Sequence, residues 1–451
     1  MIYFKKFIDT LEKHNPVQLS TGCVKRETGI FVCFFKIILC VISSFMLFGQ
    51  ASLLVHAKEP VVIVIDPGHG GENLGAEYEE YVEKDMTMIV ANAMKERLEQ
   101  YEDVTVYLTH EEDIDMSLKE RALFAQAKNA DFLYSLHFNM SVNHNLFGCE
   151  VWISAFDQYY TQGHSFASVE MDMLTELGIY SRGIKTKLND EGTDYYGIIR
   201  QCREVAVPAV IIEHCHLDQI HDKPYYTQGV EQWQEFGRLD ADAVARYYQL
   251  SSTALSIDNS SYEVPTVELP TEPVVPDLTA PEQCEITITD LDESTGMATV
   301  TLTAKDSDSY LLYYNYSING GNSYSDLEPW PDSQSSVSFQ IQLPDSQDVE
   351  LRANAYNGFD VWTESNIIAV DAIGYLAKPE DTESADEYRT IDLTDAATPV
   401  DSMQTKQTPT ASFVILLVII CIGIICVSII LARLVCHSAF PSSRKKRKDK
   451  K

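Results

Sequence analysis

Between residues 60 and about 250, short apolar runs alternate with stretches whose apolar positions recur at helical spacing. The runs predict strands at Val61–Ile65, Val104–Thr109, Phe132–His137, Cys149–Ser154 and Ala209–Glu213. The helical pattern is plainest over Lys84–Gln100, where Met86, Ile89, Val90, Ala93, Met94 and Leu98 would share a face. Further helices are expected over Leu118–Lys128, after Ser154 through about Gly178, and over Val230–Tyr248. Alternating β and α units of this kind predict an α/β domain over 58–250, a mostly parallel twisted sheet with helices on both faces. In such sheets ligands bind beyond the carboxyl ends of the strands.

The pattern changes downstream. Residues 251–280 are rich in Ser, Thr, Pro and Glu and read as a linker. Over 281–371 short alternating strands are separated by turns such as Gly320-Gly321 and Pro344-Asp345, which predicts an all-β immunoglobulin-like sandwich. Its aromatics, Trp330 included, are expected in the core rather than on a carbohydrate platform. Residues 372–411 read as an acidic stalk, 412–433 as a C-terminal transmembrane helix and 434–451 as a basic cytoplasmic tail. The apolar run Phe413–Ala432 would span about 30 Å at ~1.5 Å per residue, the thickness of a bilayer core. The lysines and arginines after it place the tail inside. Residues 1–57 resemble an export signal: Lys25 and Arg26 precede an apolar stretch, with small residues near Ala51 and Ala57 for cleavage. A signal peptide is favoured over an uncleaved N-terminal membrane segment. The expected location is therefore the bacterial cell membrane, with a single C-terminal span and the folded domains outside.

A formal charge of −33 over 451 residues excludes nucleic acid as a partner, because phosphate binding needs basic stripes. Of the ten cysteines, only Cys149, Cys202, Cys215 and Cys284 fall in the expected exported part. Their irregular spacing is neither a disulfide framework nor a thiolate metal site, so they read as buried small hydrophobes.

Chemistry concentrates at the ends of the apolar runs. Val61–Ile65 leads into Asp66-Pro-Gly-His-Gly-Gly71, a sharp turn carrying His69. Glu83 opens a helix, His137 closes the strand from Phe132, and Glu213 closes the strand from Ala209. Taken singly, each has an ordinary explanation: a turn, a helix-start charge, a polar strand tip. Together they would set two imidazoles and two carboxylates at one edge of the sheet. His69, Glu83 and His137 could supply the three ligands of a catalytic zinc site, with one position left for water. Glu213, preceded by Val210-Ile-Ile, is the candidate proton acceptor.

The same residues carry a resemblance. Residues 61–248 resemble the zinc-dependent N-acetylmuramoyl-L-alanine amidases of the amidase type 3 family. Asp66-Pro-Gly-His-Gly-Gly71 with Gly75-Ala76 matches the opening motif, and Glu83-Lys84-Asp85 the second ligand segment. Leu118 to Ala125 with Arg121, Ser135-Leu-His-Phe-Asn139 and the Gly148–Ser154 strand follow in order. Arg182-Gly183, Ile199-Arg200 and Pro208-Ala-Val with Glu213 complete the series. The resemblance implies one Zn2+ ion on His69, Glu83 and His137, with Glu213 catalytic. It also implies a peptidoglycan hydrolase that cleaves the amide between N-acetylmuramic acid and L-alanine with zinc-activated water and a Glu general base. Asn139 and Arg200 are candidate substrate-binding residues. Alternatives are a non-catalytic peptidoglycan-binding or regulatory protein, and a stem-peptide endopeptidase of the same metal chemistry. Two departures stand out: Asn73 where the family often has Asp, and His214-Cys-His216 after the catalytic Glu. The latter are expected to be packing residues rather than extra ligands, since three ligands already complete a site.

Overall fold

The computed structural model describes residues 59–375, which belong to one compact unit. The N-terminal region begins with β1 (Val61–Pro67), followed by a small ribbon of β2 (Glu77–Tyr78) and β3 (Tyr81–Val82). It continues with α1 (Glu83–Leu98), β4 (Val104–Leu108), α2 (Leu118–Ala127), β5 (Phe132–Asn139) and β6 (Cys149–Ile153). Then come α3 (Asp157–Glu176), β7 (Ser181–Lys185), α4 (Gly197–Glu204) and β8 (Ala209–His216). The short α5 (Lys223–Tyr226) and α6 (Val230–Tyr247) close the region.

The main sheet has the order β4-β1-β5-β8-β6-β7. All its pairings are parallel except β6 with β8. It is thus a mixed sheet, close to the mostly parallel one expected. The two-residue period of a strand decides what lies on each face. Ile63, Ile65, Phe132, Tyr134, Leu136, Val210 and Ile212 pack in one core with residues of α1, α3 and α6. Val64, Leu133, Ala209 and Ile211 point the other way, toward Ala122 and Ala125 of α2 and Ile198, Ile199 and Cys202 of α4. Helices therefore cover both faces. Along β5 and β8 the second set continues, at the same period, to Ser135, His137, Asn139 and Glu213.

The helix starts are encoded locally. Ser117 accepts from the Glu120 backbone N–H while Glu120 reaches back to Ser117, a reciprocal cap that opens α2. Glu83 and Asp85 place negative charge in the first turn of α1. Sequence periodicity did not reveal β7 or α4. The first is Ser-Arg-Gly-Ile-Lys, without alternation, and the second is only two turns long.

Residues 251–280, expected as a linker, begin with a hairpin of β9 (Ser251–Ser252) and β10 (Ile257–Asp258). They are then held against the α/β region: the Val274 N–H donates to Ala155 at 2.9 Å and its carbonyl accepts from Thr186 at 2.7 Å. Beyond them lie β11 (Gln283–Asp292), β12 (Met297–Lys305), β13 (Leu311–Ser317), β14 (Glu328–Pro329) and β15 (Ser336–Gln342). Next are β16 (Val349–Asn357), β17 (Trp362–Glu364) and β18 (Ile368–Val370). One sheet is β11-β12-β15; in the other, β14-β13-β16-β17 pair in order and β18 pairs with β16. Ile286, Val300, Leu302, Ile341, Leu351 and Ala353 share one core between them. Trp330 is buried in it, as expected of a core aromatic.

The two regions touch through tyrosines. The Tyr180 hydroxyl donates to the Leu312 carbonyl at 2.5 Å, and the Tyr310 hydroxyl to the Arg182 carbonyl at 2.6 Å. Tyr313 donates to the Phe147 carbonyl, and Phe147, Leu312, Tyr313 and Leu327 form an apolar cluster at the junction.

The expected bacterial cell-membrane location, with a single C-terminal transmembrane helix, does not stand. No helix among the described residues is long and apolar enough to cross a membrane. The segments proposed as signal peptide, span and basic tail, and the stalk beyond residue 375, lie outside the described residues.

Candidate metal centre and active site

β1 runs out into a turn whose backbone brings His69 over the sheet edge, with φ of +66°. Burial of Arg121 and Asp66 holds that turn. The guanidinium donates to Asp66 Oδ1 at 2.7 Å, to the Pro67 carbonyl at 2.6 Å and to the His69 carbonyl at 2.5 Å. Asp66 is further tied by Thr109 at 2.7 Å and Ser135 at 2.8 Å. A charge buried this deeply needs such partners, and here they clamp the chain on either side of His69.

Glu83, the first residue of α1, reaches both imidazoles. Its Oε2 lies 3.0 Å from His69 Nε2 and its Oε1 lies 2.9 Å from His137 Nδ1. It also accepts backbone N–H groups from Ala76 at 2.7 Å and Phe138 at 3.0 Å. Burial raises the Glu83 pKa, but the hydrogen bonds from His137 and His69 outweigh it and hold the carboxyl at about 2. Burial opposes the proton on His69, and contact with Glu83 reverses that, so its pKa is raised.

One nitrogen from each imidazole and one Glu83 oxygen lie within 4.8 Å of one another. Two glycines make room for them. A Cβ on Gly68 would sit 2.5 Å from His137 Cε1, and one on Gly75 would sit 2.6 Å from His69 Cδ2. Two nitrogens and a carboxylate oxygen, converging in a cradle that tolerates no side chain, fit a divalent zinc-type ion. The Asn73 departure has a clear consequence. Its Oδ1 lies 2.9 Å from His69 Nδ1, so an amide oxygen orients the imidazole where a carboxylate was expected.

Glu213 lies beside His137 in the β5–β8 ladder and beside Glu150 in the β6–β8 ladder. Its Oε2 is buried without a hydrogen-bond partner among the described residues. Burial raises its pKa well above the usual carboxylate range, the Glu83 and Glu150 carboxylates add to the effect, and Arg182 opposes it. Asn139 donates to Glu150 at 2.9 Å, at the same edge. Arg200 instead donates to the carbonyls of Asp194 and Tyr195, at 2.6 and 3.0 Å, bracing the turn before α4.

The His-Cys-His segment points inward. His214 lies between the His137 carbonyl at 3.0 Å and Asp240 at 3.1 Å, and Cys215 is a buried free thiol. His216 Nδ1 faces the Gly148 carbonyl at 3.0 Å, and burial pushes its pKa down to about 3. Neither histidine joins the ligand cluster. His144, on an exposed loop, pairs with Asp218 at 2.7 Å. Sequence reading missed the buried trio of Glu150, Arg182 and Lys185. Arg182 Nε and Lys185 Nζ meet Glu150 Oε2 at 2.9 and 3.0 Å. A carboxylate inside Cys149–Ile153 was the available signal, since a charge there needs a cation opposite.

Residues 63–246 match the family described as N-acetylmuramoyl-L-alanine amidase, Amidase_3. These residues belong to the amidase type 3 family. Relatives of this amidase region include the N-acetylmuramoyl-L-alanine amidase CwlM of Bacillus licheniformis. It is 27% identical over 204 residues, which are 44% of this chain and 72% of CwlM. AmiC of Escherichia coli O6:H1 is 40% identical over 80 residues, 17% of this chain and 19% of AmiC. This chain thus spans most of CwlM but only a fifth of AmiC. Among solved structures, the catalytic domain of CwlV from Bacillus (Paenibacillus) polymyxa var. colistinus is 25% identical. That match covers 42% of this chain and 98% of CwlV, with a TM-score of 0.36.

Proposed function

We propose that this protein is a zinc-dependent peptidoglycan hydrolase that cleaves the amide between N-acetylmuramic acid and L-alanine. The observation that carries the reading is the convergence of His69, Glu83 and His137 at the sheet edge, with the unpartnered Glu213 carboxylate on the adjoining strand. A zinc ion held by those three residues would polarise the scissile carbonyl and make water acidic enough to react near neutral pH.

Glu213 accepts the proton from the attacking water and returns it to the departing L-alanine amine. Its surroundings suit both halves of that cycle. Burial and the neighbouring carboxylates favour its protonated form, and Glu83 would lose part of its repulsive effect when its charge is shared with a cation. Glu83 and Asn73 keep the imidazoles in register, and Arg121 fixes the turn that carries His69. Asn139 remains a candidate for substrate contact, held at the edge by Glu150. Arg200 is held at one terminal nitrogen by two backbone carbonyls, and the rest of its guanidinium is a candidate for substrate contact.

The test is incubation of the zinc-loaded full chain with purified peptidoglycan, products read by mass spectrometry, with Glu213→Gln in parallel. Free stem peptides beginning with L-alanine, made only by the unaltered protein, are expected. Cleavage inside the stem would replace the substrate bond with that of an endopeptidase. Retained wall without any product would replace the enzyme with a binding protein.

A further inference from the structure

A cavity of about 490 Å³ opens beside the catalytic edge, lined among others by Asn139, Glu150, Arg182, Lys185, Lys187 and Asp360. It starts next to the chemistry, since Asn139 follows His137 by two positions and Glu150 faces Glu213 across the ladder. Its far side belongs to the sandwich region, through Phe359 and Asp360.

The polar groups in it are unevenly satisfied. Arg182 has a partner at each of its three nitrogens: Nε meets Glu150, one terminal nitrogen meets the Tyr313 hydroxyl at 3.0 Å, and the other meets Asp360 Oδ2 at 2.9 Å. Lys185 is 1% exposed, yet its ammonium has one carboxylate oxygen, Glu150 Oε2 at 3.0 Å, which it shares with Arg182. An ammonium carries three donors. With one carboxylate partner among the described residues and the cavity beside it, Lys185 keeps donors free for an anion there. Asp360 Oδ1 is buried without a partner among the described residues and calls for an N–H. The cations facing the cavity are Arg182, Lys185 and Lys187, the acids are Glu150 and Asp360, and His216 is held neutral by burial. The balance favours a ligand with a carboxylate, and the lone Asp360 oxygen favours one that also offers an N–H. A peptide bearing an acidic group has both.

We propose that this cavity is a peptide subsite in which Lys185 binds a carboxylate of the stem peptide beyond the scissile amide, with sandwich residues Phe359 and Asp360 as its far wall. The subsite takes its substrate class from the hydrolase reading above. It gives the sandwich a direct part in substrate selection, because the α/β region alone would leave the cavity open on one side.

The test uses the full chain with two muramyl peptides, whose second amino acid carries either a free carboxylate or the matching carboxamide. The unaltered protein should prefer the carboxylate about tenfold in kcat/KM, the size of one well-placed charge contact. Lys185→Met should erase that preference by raising KM for the carboxylate peptide. Asp360→Asn, which keeps the acceptor for Arg182 and removes a negative charge, should enlarge it. A purely structural trio would instead lower kcat for both peptides alike, together with the thermal midpoint. That result, or equal use of the two peptides by the unaltered protein, overturns the subsite. Calorimetric binding of both peptides to Glu213→Gln separates the two readings. A carboxylate preference in binding, with no cleavage by the unaltered protein, would sink the hydrolase and keep the subsite. Cleavage without a preference in binding would do the reverse.

Discussion

The α/β region and the sandwich bury different kinds of side chain. The sandwich core is aliphatic and aromatic, and the buried polar residues of β13 to β17 and their connections are Asn315, Ser317, Asn354, Asn357 and Ser365, none of them charged. The α/β region buries Asp66 with Arg121, Glu83 with two histidines, Glu150 with Arg182 and Lys185, and Asp240 with His214. Glu170 is also buried there, both oxygens unpartnered among the described residues, and burial followed by the Asp240 charge pushes its pKa well up. An apolar core is stabilised by shape and area alone. A buried charge is stable only while its partner stays in place. The α/β region therefore holds its proposed catalytic edge rigid with pairs that add little net stability, whereas the sandwich supplies packing and the wall of the proposed subsite.

The sharpest break of this contrast comes from Glu213→Gln. It should lower turnover on the order of 10³-fold, as loss of a general base does, while zinc content per protein stays at one ion. Retained activity would remove Glu213 from the mechanism. Next in size is Arg182→Met. It leaves Glu150 with Lys185 as its one paired cation among the described residues and Asp360 unpaired, and urea unfolding should register a loss of about 3–5 kcal/mol. A loss under about 1 kcal/mol would mean that the trio is not a structural tie. Leu351→Ala, in the fully buried sandwich core, should cost a similar or slightly smaller amount, about 2–5 kcal/mol, by cavity formation. Its signature is different: kcat/KM at low temperature should hold, because no partner of the catalytic edge is touched.

Two smaller effects sharpen the contrast. Asn73→Ala should weaken zinc affinity about ten- to a hundredfold in chelator competition, the usual cost of losing the group that orients a ligating imidazole. Asp222→Asn concerns pH. Burial raises the Asp222 pKa from 3.8 to about 6, despite backbone N–H donors from His216 and Gly148. The folded state thus holds this proton more tightly than the unfolded state. The associated stability is complete below pH ~4 and is lost as pH rises through about 6. An asparagine oxygen can accept from the same donors without ionising. Between pH 4 and 7 the variant should gain on the unaltered protein by on the order of 2 kcal/mol in unfolding free energy. A constant difference across that range would show that Asp222 does not titrate in the window.

The residues that converge at the sheet edge were legible one by one. His69, Glu83, His137 and Glu213 each follow or open an apolar run, and strand period carries His137 and Glu213 to one face. The Gly-rich turn could be read as a turn, but not as the cradle in which Gly68 and Gly75 leave room for imidazoles. β7 escaped notice because Ser181–Lys185 lacks alternation: its Arg182 and Lys185 are buried, and only their partners explain why. The His214-Cys-His216 run offered three metal-type side chains in a row, and the fold turns all three into the interior.

Local patterning by itself determined the α/β order, the strand tips that carry the proposed chemistry, the helix starts and the change to an all-β pattern after residue 280. Those features depend on the period of apolar positions and on caps a few residues apart, which are written contiguously in the chain. Tertiary structure alone decided the antiparallel β6–β8 pairing, the docking of residues 251–280 and the meeting of Arg182 with Asp360 across 178 positions. The stability of a buried charge depends on a counter-charge that arrives from elsewhere in the chain, and no local pattern records which one will.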